Sequence, residues 1–484
     1  MKYILSIDQS TSMTKAFLID KSGKICFRTE KKHAQFYPKS GWVEHDAMEI
    51  YRNVCVCIRE LTDKNAVSIG EIEGLCISNQ RETTVVWDAK TGDPVCNAIV
   101  WQCQRGSEIC KELSEHADMI RSRTGLTLSP YYPAAKIAWV LKNIPEAAQR
   151  AKNAELLFGT IDSFLLYRLS GGKIHITDIT NASRSQLFNL KTLDWDKDIC
   201  AFFDIPISML PKVAMCDGDF GQTESGLPVL SIMGDSHSAL LGHGCVNPGS
   251  IKVTYGTGSS IMQNIGSKIR IPKEGISLSV AYGMAGKVIY SEEGNVTCSG
   301  DIIKWLQNEA GLIGSPKETE SIIGGMNHNG GVYMVPAFSG LGAPYFDSRV
   351  RAAIMGISRG TTKAHIVRAA IEAIAFQIAK VISLMNNAEG KNTLYADGGA
   401  AENGMLMQFQ ADVLGRSICV GTEKEVSALG TAFCGGLKTG FFTSIDALAR
   451  QANKGKSYSC NMDSTLAKQY MGDWERAVAA ARLF

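Results

Sequence analysis

None of the 14 cysteines stands in a CxxC pair, and the scattered positions (Cys26, Cys55, Cys57, Cys76, Cys96, Cys103 and onward) give no disulfide framework. In a chain of this size they read as small apolar core residues of a reduced, cytoplasmic protein. No apolar run approaches about 18 residues, so no membrane span is expected. The start, MKYILSIDQS, meets an Asp at position 8, which leaves no leader-like apolar segment. Charge of one sign is also missing: 50 Lys and Arg face 48 Asp and Glu, a net +2. A basic nucleic-acid-coating chain is thereby excluded, and no nucleic-acid partner is expected. Anionic ligands are not excluded, because backbone N–H groups bind phosphate without a basic patch. There is no low-complexity tract and no short-period repeat.

What is present is an ordinary globular mixture, 45% hydrophobic and 20% charged, over 484 residues. At about 150 residues per domain this implies two or three domains. The pattern predicts strands over 3–8, 15–19 and 24–29, a helix over 46–62, a strand over 74–78 with 83–87 pairing after it, and helices near 105–115 and 134–143. A strand over 250–254, a polar turn and a strand over 259–263 repeat the opening unit. A strand over 393–396 leads into a helix over 405–414. The repeat divides the chain into two related α/β domains, 1–245 and 246–484, without a linker between them.

The turns carry the chemistry. Asp8-Gln-Ser-Thr-Ser12 crowds hydroxyls and N–H groups into a small concavity, a nest for phosphate oxygens beside an Asp able to hold Mg²⁺ through water. A plain polar hairpin is the competing reading. Thr254-Tyr-Gly-Thr-Gly258 repeats that character with more glycine. Asp397-Gly-Gly399 lies before a helix N-terminus, where the dipole favours negative charge. In Ile232-Met-Gly-Asp-Ser236 an apolar run ends on Asp235, which can be a general base, a metal ligand or a helix cap. Asn79-Gln-Arg-Glu82 is polar directly after an apolar strand, so Arg81 and Glu82 can hydrogen-bond the hydroxyls of a polyol. Trp101 and Tyr131 offer an apolar wall and a hydroxyl. His237 and His243 lack a metal-ligand spacing and read as structural.

Longer words then place the chain. The stretches 41–46 GWVEHD, 79–88 NQRETTVVWD, 99–103 IVWQC, 180–184 TNASR, 335–345 VPAFSGLGAPY and 397–400 DGGA resemble the FGGY carbohydrate kinases, and among them the glycerol kinases. Both family signatures are present, 131–139 YYPAAKIAW and the run 352–372. The likeness covers Ile4 to about Phe433. It implies two actin-like ATPase (ribonuclease H-like) domains with a cleft between them, and an ATP-dependent kinase that phosphorylates a primary hydroxyl of a small polyol or sugar with Mg²⁺. By position it implies Asp235 as catalytic base, and Arg81, Glu82, Trp101, Tyr131, Asp235, Ser236 and Ser260 around the substrate. Thr11, Ser12, Lys15, Gly256, Thr257, Gly399 and Asn403 fall to the nucleotide, and Asp8 and Asp235 to the metal. Homodimers or homotetramers are common in the family.

The chain departs from the glycerol kinase pattern at Ser10 for Gly, Lys15 for Arg, Ser236 for Gln and Ser260 for Phe. Lys15 offers a point charge where arginine offers a fork. Two serines leave a larger, more polar pocket, so a longer polyol or a ketose (erythritol, xylulose, ribulose) is the alternative acceptor. A non-catalytic nucleotide or sugar sensor is the reading from another class. The stretch 221–232 is shorter than in bacterial glycerol kinases, so inhibition by a sugar bisphosphate is not expected.

Overall fold

The computed structural model describes residues 2–386 and 392–484. Two large sheets share a core, an antiparallel hairpin with parallel strands added beside its first strand. In the first, Tyr3–Gln9, Met13–Ile19 and Ile25–Lys32 form an antiparallel meander, and Ile72–Asn79 and Val229–Gly234 extend it, parallel, from the other side of Tyr3–Gln9. In the second, Ile251–Tyr255 pairs antiparallel with Ser259–Gly266, and Lys287–Val296 and Ser277–Met284 follow. Leu394–Asp397 and Ile418–Gly421 add parallel on the far side, with Gly455–Tyr458 at the edge. The repeat expected near residues 8 and 256 is therefore a hairpin at the same place in each sheet.

Position in each sheet follows composition. Tyr3–Gln9 is buried throughout, as a strand covered on both faces must be. Ile25–Lys32 carries Arg28, Glu30, Lys31 and Lys32 along an edge, where charge deters pairing with other chains. Helix Ala47–Asn65 buries Ile50, Val54, Cys57 and Leu61, one stripe at helical spacing, and Asp46 caps it by accepting from Met48 N at 2.8 Å.

Two expectations are corrected. Thr84–Asp88 does not pair with Ile72–Asn79; it joins Ala98–Ile99 and Leu156–Thr160 in a separate four-stranded sheet. Glu82, at φ +61, turns the chain out of the first sheet before that strand begins. The single helix expected near 105–115 is Ser107–Glu112 followed by a 3₁₀ turn, Ser114–His116.

The halves are joined by packing rather than by a tether. Helix Val426–Thr439 belongs to the second half, yet Ala428, Leu429, Ala432 and Phe433 pack on Ile4, Phe17, Ile19, Cys76 and Leu230 of the first sheet. It lies against helix Asp235–Gly242 at backbone distance: a Cβ on Gly430 would stand 1.8 Å from Ser238 O, and one on Gly242 2.4 Å from Val426 O. The C-terminal helix Ser464–Leu483 also docks on the body, with Trp474 fully buried and donating to Met334 O at 3.1 Å. Among the described residues no helix is long and apolar enough to cross a membrane.

Candidate active site

The carboxyl ends of three neighbouring parallel strands bring the first group together. Asp8 pairs in register with Ser78, and Gly234, the residue before Asp235, with Asn79. In open α/β sheets ligands lie beyond these ends. Asp235 is the first residue of helix Asp235–Gly242, not its cap; Gly234 holds the cap position and Ser236 N donates to the Asp235 carboxylate. Asp8 is buried and accepts from Ser78 Oγ at 3.2 Å. Burial, then the Asp235 carboxylate, pushes Asp8 up to about 7 against the pull of Lys15, and Glu425 adds to the push. Lys15 stands across the hairpin from Asp8, and its ammonium is held by both Glu425 oxygens at 3.0 and 2.7 Å. Glu425 comes from the second half, at the N-terminus of Val426–Thr439.

The second group is a buried charge network. Arg81 donates Nη1 and Nη2 to Glu293 at 2.8 and 2.7 Å and turns Nε toward Asp235 at 3.3 Å. Arg184 donates Nε to Glu82 at 2.6 Å and lies 2.9 Å from Glu293. Burial opposes charge on Glu293, but Arg184 and Arg81 hold its carboxyl well below the usual range. Protein partners thus fix the aim of both Arg81 and Glu82. Each already has a protein partner, and Arg81 Nε is the edge that faces Asp235.

Trp101 and Tyr131 meet with ring centroids 5.5 Å apart, and Trp101 Nε1 donates to Thr11 Oγ1 at 3.1 Å. This ties the aromatic pair to the first turn. Ser12 is exposed at the tip. The Ser10 hydroxyl folds back on Met13 O at 3.0 Å, so it fills its own turn and does not project from it. Beneath Tyr131, the fully buried Lys136 donates to Pro130 O at 2.8 Å and to Tyr131 O. Burial pushes its ammonium down to about 7. The unfolded chain keeps that proton to about 10.4, so the folded state binds fewer protons between the two values and gains stability as pH rises from 7 toward 10. Lys136→Met is expected to flatten that rise relative to wild type; urea midpoints at pH 7, 8.5 and 10 measure it, and equal slopes in both proteins would refute it.

The remaining turns lie on the second sheet. Gly256 and Thr257 pack against the start of helix Gly300–Asn308, whose Gly300 N donates to Gly256 O at 2.9 Å, with Lys304 Nζ 3.4 Å from Thr257 Oγ1. Gly398, at φ +91, presses on the second turn so closely that a Cβ would stand 2.5 Å from Tyr255 O. Gly399 opens a 3₁₀ turn with open space beside it, and Asn403 caps helix Gly404–Leu414 by accepting from Leu406 N at 2.9 Å. Asp397 accepts from His243 at 2.7 Å, and His243 also meets Asn453 at 2.7 Å. The expected structural role of His243 therefore has named partners. Ser236 is half-buried beside Asp235, and Ser260 lies on the second strand of the second hairpin.

Residue reasoning does not single out Glu293, Arg184 or Glu425. A signal existed for Glu293: a charged residue inside an otherwise buried strand needs a counter-ion somewhere.

Two sheets, each with a polar hairpin turn at the end of its central strands, form the two-domain actin-like ATPase fold. Comparison with known proteins agrees. The models of the FGGY family of carbohydrate kinases match residues 3–242 (N-terminal domain) and 251–438 (C-terminal domain). Glycerol kinase 1 of Thermotoga maritima is 44% identical over 98% of this chain and 99% of its own length. Glycerol kinase of Treponema denticola is 44% identical over 99% and 98%. The crystal structure of Plasmodium falciparum glycerol kinase with ADP superposes with a TM-score of 0.94 at 33% identity, covering 99% of this chain and 98% of that one. The chain belongs to the FGGY family of carbohydrate kinases, phosphotransferases with an alcohol group as acceptor.

Proposed function

We propose that this chain transfers the γ-phosphoryl group of Mg·ATP to a primary hydroxyl of a small polyol, in the manner of the glycerol kinases, with Asp235 as base. The observation that carries the reading is Asp235 itself. It is a part-exposed carboxylate at a strand end, held by Arg81 Nε at 3.3 Å, with the buried Asp8 beside it. The acceptor oxygen attacks the γ-phosphorus, the bond to the bridging oxygen breaks, and ADP leaves. Asp235 takes the hydroxyl proton as the new bond forms. Phosphoryl transfer needs positioning and charge neutralisation more than covalent help.

On this reading Arg81, Glu82, Trp101, Tyr131, Ser236 and Ser260 surround the acceptor. Thr11, Ser12 and Lys15, with Gly256 and Thr257, cradle the phosphates, and Gly399 and Asn403 meet the nucleotide. Lys15 then exchanges Glu425 for phosphate oxygens. Mg²⁺ fits this site: Asp8 and Asp235 put two carboxylates side by side, and the Asp235 charge, after burial, is what raises Asp8. Among the described residues no three His, Cys, Asp or Glu side chains form a metal cage, which suits an ion that keeps waters and substrate phosphates as ligands. Asp8 and Asp235 would hold it, and when bound it neutralises phosphate charge. A cytoplasmic setting, domains divided at 1–245 and 246–484, and a homodimer or homotetramer complete the proposal. The experiment is ADP release from Mg·ATP with and without glycerol and longer polyols. Acceptor-dependent release is expected. ATP binding with no release on any acceptor would favour the sensor instead.

A further inference from the structure

We propose that His243 is a positioning residue for the nucleotide: from the end of the helix that carries Asp235 it holds and neutralises Asp397, the carboxylate at the head of the Gly398-Gly399 turn. This rests on the kinase reading above. His243 directly follows helix Asp235–Gly242 and takes its C-terminal cap position. Its side chain is shielded from water. Tyr395 and Asp397 fall on one face of strand Leu394–Asp397. Both meet the imidazole. The ring lies 14° from the plane of Tyr395 with centroids 5.8 Å apart, and Nε2 stands 2.7 Å from Asp397 Oδ2. Thr254, the first residue of the second turn, pairs in register with Asp397 on the neighbouring strand. Behind it the buried Lys252 donates to Thr254 Oγ1 at 3.1 Å. His243 thus brings a donor from the first half to a carboxylate that lies between two turns of the second.

The hydrogen bonds fix where the protons sit. Asn453 Nδ2 donates to His243 O at 2.8 Å, so Asn453 Oδ1 is the atom 2.7 Å from His243 Nδ1, and a carbonyl oxygen only accepts. Burial opposes charge on Asp397, but the His243 hydrogen bond and charge, with Lys252, hold its carboxyl below the usual range, so it too only accepts. Both ring nitrogens therefore donate, and His243 is an imidazolium paired with a carboxylate. The pairing bears on nucleotide binding because phosphates are anionic. A bare carboxylate directly before Gly398 would repel them, and a buried charge is little screened by salt. Paired with His243, Asp397 presents no net charge and its direction is fixed. The same contact ties the helix that begins at Asp235 to the nucleotide turn, so base and nucleotide rest on one support.

The test is ADP titration calorimetry, with KM for ATP and for the best acceptor, on wild type, His243→Leu and His243→Leu combined with Asp397→Asn. His243→Leu is expected to weaken ADP binding and raise the ATP KM by about tenfold or more, while the acceptor KM moves less than about threefold; residues in one charge network commonly couple on this scale. Adding Asp397→Asn removes the stranded charge and is expected to recover about threefold or more of the lost ADP affinity. A residue that only packs would give no such recovery, because the second substitution would add its own defect. Thermal midpoints identify a folding defect. If His243→Leu fails to fold, His243→Gln, alone and combined with Asp397→Asn, carries the same comparison. ADP affinity unmoved in the folded single variant, or no recovery in the combined one, overturns this proposal and leaves the kinase reading intact. No acceptor-dependent ADP release from the wild-type protein overturns the kinase reading itself.

Discussion

Asp235→Asn is expected to lower kcat by about 10²–10⁴-fold, the usual worth of a positioned general base, while nucleotide affinity changes less than tenfold. The substitution is nearly isosteric. The amide keeps an oxygen to accept from Ser236 N and to face Arg81 Nε, so the start of helix Asp235–Gly242 is undisturbed. What disappears is the capacity to take a proton. A second effect follows from the neighbouring carboxyl. Asp235 is the largest electrostatic contribution, after burial, to the raised Asp8 value of about 7. Once the charge at position 235 is removed, Asp8 ionises at lower pH, and the phosphate-side charge is retained as the base is lost. Turnover with saturating acceptor, set against ADP titration calorimetry, separates the two consequences. Turnover within threefold of wild type would remove Asp235 from the role of base.

How far the sequence predicted this site depends on how local each signal is. The first and second turns are legible because strand, polar turn and strand are contiguous, and the structure forms both hairpins there, the second returning strand running on to Gly266. Asp235 is legible because an apolar run ends on it. The helix-capping alternative failed by one residue, since glycine at 234 takes the extended cap conformation. The pairing of Thr84–Asp88 was not legible, because the positive φ at Glu82 redirects the chain and no residue type at that position announces it. The partners of Arg81, Arg184 and Lys15 were not legible either. Arg81 meets Glu293 across 212 positions and Lys15 meets Glu425 across 410. Charge on a single residue says that a partner is needed, not where it lies. The shared core of the two sheets was implied by two similar hairpins. The packing of helix Val426–Thr439 back onto the first sheet was not, because its apolar face fits either sheet until Gly430 and Gly242 set the closest approach.

Glu293→Ala is expected to cost about 3–5 kcal/mol of stability, the range for removing one member of a buried ion pair, and to raise acceptor KM more than ATP KM. Arg81 and Arg184 are 6% and 1% exposed, so the substitution strands two guanidiniums away from water, with Glu82 as the sole buried carboxylate left to them. The sign with pH is fixed by the depressed Glu293 carboxyl. Its contribution is complete above the unfolded carboxyl value and is lost progressively as pH falls from there through the depressed folded value. Glu293→Gln keeps the shape and one acceptor, and should recover part of the stability but not the fixed aim of Arg81. Urea unfolding and a KM comparison on both variants check this, and an unchanged acceptor KM in a destabilised Glu293→Ala would reduce Glu293 to a packing role. The network also explains why a carboxylate from the second half belongs in a site built mainly by the first. Glu82 and Glu293 balance Arg81 and Arg184, and all four are buried. Asp235, whose side chain is 33% exposed, is the carboxylate beyond that balance, which suits the base role proposed for it.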